Sequence, residues 1–114
     1  MKVLDTAALL TADRSQGIPG GGAGHRQATF VVDVTAITRT TGTLDVSLQV
    51  RTADGTLKNV ATVTGLTAIS LNTMTIDAFW TPVPGAIPEP DLAVWDLVGD
   101  TTSVSGTIEV VYSD

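Results

Sequence analysis

The side chains able to do chemistry are few, and they fall at places where catalysis is hard to assemble. His25 is the single histidine of this 114-residue chain, and there is no cysteine. An imidazole acts as a general base when a carboxylate orients it and a nucleophile lies against it. Nothing close to His25 in sequence offers either, so it reads as a solvated or interface residue. Glu89 and Asp91 are the nearest carboxylate pair for glycoside chemistry. They stand in a proline-rich stretch, where such side chains are normally hydrated. Glu89, Asp91, Asp96 and Asp100 could supply some of the six to eight oxygens that calcium takes, without EF-hand spacing. Phe79, Trp80 and Trp95 could stack on sugar rings, although Trp95 alternates into an apolar run and reads equally as core.

The glycine-rich stretch "SQGIPGGGAGHR" (15–26) invites a phosphate-binding reading. A P-loop needs Lys and Ser or Thr after its last glycine, with a helix starting there. Here "AGHR" leads directly into the β-type run "ATFVVDV". Gly20, Gly21, Gly22 and Gly24 read better as a supple joint. No enzyme, cofactor or metal is expected.

Composition narrows the classes further. Hydrophobic residues make up 43% and charged residues 16%, with a net charge of −6. All six Lys and Arg lie in the first 58 residues, and seven of the twelve acids lie beyond them. Nucleic-acid binding depends on neutralising phosphates with cations, so an acidic chain is a poor candidate. No uncharged apolar run approaches the length of a membrane helix, and no membrane partner is expected. "MKVLDTAALLTA" has a faint likeness to a signal peptide, interrupted by Asp5.

The scaffold is expected to be all-β. Nineteen threonines and many valines favour strands. In "TLDVSLQVRT" (43–52), Leu44, Val46, Leu48 and Val50 face one way while Asp45, Ser47, Gln49 and Arg51 face the other. "ATFVVDVTAIT" (28–38) alternates likewise, with Phe30, Val32, Val34 and Ala36 inward. "RTTG" between them is hairpin-sized, and "ADGT" (53–56) carries an Asp-Gly turn pair. Two further strands flank Gly65, another spans 91–98, and the last spans 103–113 with Val104, Ile108, Val110 and Tyr112 on one face. "TPVPGAIPEP", with four prolines, must be a loop or edge crossing. The expected architecture is an antiparallel β-sandwich, jelly-roll or immunoglobulin-like, over residues 26–114. Residues 1–25 form an extended N-terminal arm and hinge. Val3, Leu4, Leu9, Leu10 and Arg14 are the expected docking residues of that arm, and the body should fold without it. The alternative is that the arm folds back on its own sandwich. Phe79, Trp80, Pro82, Pro84 and Ile87 are expected at a subunit seam.

The runs "FVVDVTAITRTTGTLDVSLQVRTADGTLKNVATV" and "AVWDLVGDTTSVSGTIEVVYS" resemble small β-sandwich structural proteins of tailed-phage virions. The resemblance is to the decoration (cement) type, which binds outside an icosahedral capsid. It implies a non-enzymatic virion protein on the capsid surface, assembled in the host cytoplasm. It also implies the major capsid protein as partner, a homotrimeric state and a gripping N-terminal segment. A carbohydrate-binding module and a tail or baseplate component are the alternatives.

Overall fold

The computed structural model describes residues 2–18, 27–52, 54–77 and 90–113. They form eight strands: β1 (Lys2–Leu10), β2 (Arg14–Gly17), β3 (Gln27–Thr38), β4 (Thr43–Arg51), β5 (Leu57–Leu66), β6 (Ser70–Asp77), β7 (Leu92–Val98) and β8 (Ser103–Ser113). Sheet A has the order β1-β8-β3-β6 and sheet B the order β2-β7-β4-β5. All pairings are antiparallel. β1 pairs with β8, β2 with β7, β3 with β6 and β4 with β5. The chain is therefore one long ribbon, folded at the β4–β5 turn and rolled so that successive pairs alternate between sheets. That is the jelly roll, one of the two expected sandwich types.

Period-two alternation builds the core between the sheets. Phe30, Val32 and Val34 of β3 face Leu44, Val46 and Leu48 of β4, with Ile108 and Val110 of β8 beside them, all fully buried. Each such aliphatic or phenyl side chain contributes about 1.5–3 kcal/mol by leaving water. The alternation breaks at Ala36, which is exposed rather than inward. The register of β3 on β8 slips between Val34 and Ala36, so one extra residue reverses the phase and turns Ile37 to the core.

Two expectations are corrected here. "RTTG" does not close a hairpin, because β3 and β4 lie in different sheets. The residues after Val98 likewise carry the chain from sheet B to sheet A. These two crossings are joined by Asp100, whose carboxylate accepts the backbone N–H groups of Thr40 (3.2 Å), Thr41 (3.0 Å) and Gly42 (2.5 Å). Gly42 packs so closely that a Cβ there would stand 2.6 Å from the Thr101 backbone nitrogen. The second correction concerns residues 2–18. They are not an arm outside the sandwich: β1 is a strand of sheet A and β2 a strand of sheet B. The body thus begins before residue 26, and folding back on the sandwich is what occurs. Gly20, Gly21, Gly22 and Gly24 lie outside the described residues.

Amide donation holds the Asp100 carboxyl down at about 2, and Thr52 and Thr56 do the same for Asp54 beside the β4–β5 turn. A carboxyl depressed on folding stabilises above its unfolded value of 3.8, and that stabilisation is lost as pH falls towards 2. Acid titration followed by circular dichroism should therefore show stability declining from about pH 4 to pH 2, and Asp100→Asn should flatten part of that decline.

Candidate functional site

Bulges decide which residues of β1 look inward. One lies between Val3 and Asp5 and a second between Ala7 and Leu10, and each inserts an extra residue in β1 opposite β8. The first turns both Leu4 and Asp5 into the sandwich; around the second, Ala8 and Leu9 are both exposed. An aspartate within a hydrophobic interior needs strong partners, since an unpaired buried charge is very costly. Asp5 has two. Its Oδ2 accepts the indole N–H of Trp95 at 2.7 Å, and its Oδ1 accepts Arg14 Nη2 at 2.7 Å. Asp5 belongs to sheet A, whereas Arg14 and Trp95 are directly opposite each other on β2 and β7 of sheet B. Gln16 Oε1 also accepts Arg14 Nη2, at 3.2 Å.

Trp95 is fully buried, with Gly106 of sheet A against its ring. Gly106 and Ala7 pair across β8 and β1, and a Cβ on Gly106 would lie 3.4 Å from Trp95 Cη2 and collide with the Asp33 carbonyl oxygen. The Asp5–Arg14–Trp95 group is thus a fastening between sheets, closed to a substrate by its packing.

The expected docking residues accordingly separate. Leu4 is buried at 8% exposure, Leu10 packs on the core, and Arg14 is occupied by Asp5. These three do not serve an arm. Val3 and Leu9 remain on the outside, at 54% and 69% exposure. Phe79, Trp80, Pro82, Pro84, Ile87, His25 and Glu89 lie outside the described residues.

What the fold presents outward is the open face of sheet A. Register places Val3, Glu109, Val31 and Thr73 in one row across β1, β8, β3 and β6. A second row runs Thr6, Thr107, Asp33 and Leu71, and a third holds Val111, Thr29 and Thr75. The Thr29 and Thr75 hydroxyls are 3.4 Å apart. The face is a bed of threonines with exposed Val3, Val111 and Leu71, and among the described side chains its carboxylates are Asp33 and Glu109. Such a surface suits contact with another protein: short side chains lose little rotamer freedom on being covered, and the exposed apolar groups gain by it. Sequence reading found Val3 and missed the rest, because neighbours on three other strands complete the face.

Sheet B is different outside. Asp45 and Asp96 stand directly opposite each other, and Asp13 accepts the Leu97 N–H at 2.9 Å. Desolvation, then the charge of Asp13 and its hydrogen bond, then the charge of Asp45, push the Asp96 carboxyl up. Of the acids first considered for calcium, Asp100 is committed to loop amides and Asp96 to this row. Among the described residues, no group of three or more acidic or histidine side chains is arranged to hold a metal ion. Comparison with protein families, with curated proteins and with solved structures yields no match.

Two substitutions check the fastening in urea denaturation, with Trp95 fluorescence as readout. Asp5→Ala should cost about 1–3 kcal/mol, because it leaves the buried indole N–H of Trp95 without an acceptor. Gly106→Ala should cost about 1–3 kcal/mol, because its Cβ collides with the Asp33 backbone carbonyl. An Asp5→Ala chain as stable as the parent would show that the carboxylate does not bind the sheets together.

Proposed function

We propose that this chain is a non-enzymatic structural protein of a tailed-phage virion, of the capsid decoration type. In this reading it lies on the outer capsid surface, bound to the major capsid protein. The observation that carries the reading is the open face of sheet A, broad and threonine-lined, with Val3 and Val111 exposed in neighbouring rows. The jelly roll is used in viral capsid domains and in lectins, which is support by analogy of fold alone. The sequence resemblance to decoration proteins points the same way. Many modest contacts, repeated over a symmetric shell, raise the effective affinity of the assembly.

The mode of attachment differs from a swinging arm. Residues 2–10 are strand β1, so the shell is gripped by a rigid face whose border is Val3 and Leu9. The carbohydrate reading loses one of its three aromatics, since the buried indole of Trp95 cannot stack on a sugar.

Cosedimentation with capsid shells assembled from tailed-phage major capsid protein tests this. Val3→Asp combined with Val111→Asp should weaken shell binding by about tenfold or more while the fold stays intact. Shells that never retain the parent chain, or retain the double variant equally well, would overturn the proposal.

A further inference from the structure

A jelly roll leaves four edge strands, and this chain protects them unequally. β1 is bulged twice and turns Asp5 inward. β2 has only four residues. β5 takes two extra residues where it pairs with β4, and it carries Lys58. Short length, bulges, inward charge and edge lysine each hinder the addition of a further strand. β6 has none of these devices. Its eight residues, SLNTMTID, pair with β3 without a register shift and include no Lys, Arg or Pro. Among the described residues no strand lies on its other side. Ile69 and Leu71, at the start of β6, are 70% and 68% exposed.

Charge indicates what this edge would accept. A chain of net charge −6 repels its own copies wherever carboxylates meet. Asn59 through Ile76 is its longest stretch without a charged residue, and most of β6 lies inside it. Two copies brought together along β6 in antiparallel fashion meet few like charges, because the two Asp77 positions go to opposite ends of the seam. A two-fold axis perpendicular to the sheet also sets open face beside open face. Leu71, Thr73 and Thr75 then run against the same residues of the partner in reverse order, which sets Thr73 opposite Thr73, a favourable cross-strand pair.

We infer that the β6 edge pairs with β6 of a second copy, so that two sheets A become one continuous eight-stranded sheet. The contact is isologous and closes on itself. It stands apart from any virion role, and its two-fold symmetry departs from the three-fold state that the decoration resemblance implies.

Sedimentation equilibrium of the full chain from micromolar to millimolar concentration reads the pairing directly. The expected mass is that of two chains, each of 11.8 kDa. Thr73→Lys on β6 should weaken association by about tenfold or more, whereas Thr6→Lys, the same change on β1, should leave it intact. Amide hydrogen exchange over residues 70–77 of the unaltered chain should slow as concentration rises, a readout of the same edge that needs no substitution. A monomer at every concentration, a mass of three chains, or a dimer unmoved by Thr73→Lys would overturn the inference.

Discussion

One buried carboxylate links the two halves of the sandwich. Asp5 extends from sheet A and is held by an indole and a guanidinium of sheet B. Hydrophobic burial drives the sheets together but is not directional. The two hydrogen bonds supply direction: they fix where β1 and β2 lie relative to β7. Much else follows from that requirement. The bulge after Val3 turns Asp5 inward, and Gly106, which lies against the indole, has no room for a side chain because the Asp33 carbonyl crowds it. The two strands that the group anchors are also the two that a reader of the sequence would most readily discard.

Most strands were legible because their two faces differ in solvation. β4, β7 and β8 alternate strictly and β3 does so as far as Val34, and their observed bounds agree within a residue or two with the alternation. β5 and β6 were found by their β-branched content, but Gly65 does not divide them: it lies within β5, at the bulge opposite Leu44 and Val46, and the strand runs on to Leu66. β1 was not legible, for a definite reason. Its two extra residues put Leu4 and Asp5 both inside and Ala8 and Leu9 both outside, so no period of two survives. Arg14 reads in the sequence as a residue that docks on a partner and Asp5 only as a break in an apolar run, because each is taken without the other. The available signal was a carboxylate within an apolar run, in a chain whose tryptophan needed an acceptor once buried.

The open face of sheet A was legible only in part, and this too has a physical cause. A face assembled from four strands joins residues as distant in sequence as Val3 and Glu109, and adjacency of that kind comes from register. Alternation tells which residues look outward, but not which outward residues are neighbours. The crossing links show the same limit. "RTTG" has the length of a hairpin turn, and only the pairing of β3 with β8 and of β4 with β7 shows that it passes between sheets.

The central place of β8 has a consequence for how the molecule comes into being. β8 is the latest in sequence of the eight described strands, yet it lies between β1 and β3 and is bonded to both. As the chain leaves the ribosome, β1 has no neighbour in its sheet and β3 has only β6 until residues 103–113 emerge, and Lys2 waits for Val110. Closing so long a loop is slow, and unpaired strand edges invite aggregation meanwhile. Nascent chains halted before β8 should thus be wards of the cell's chaperones.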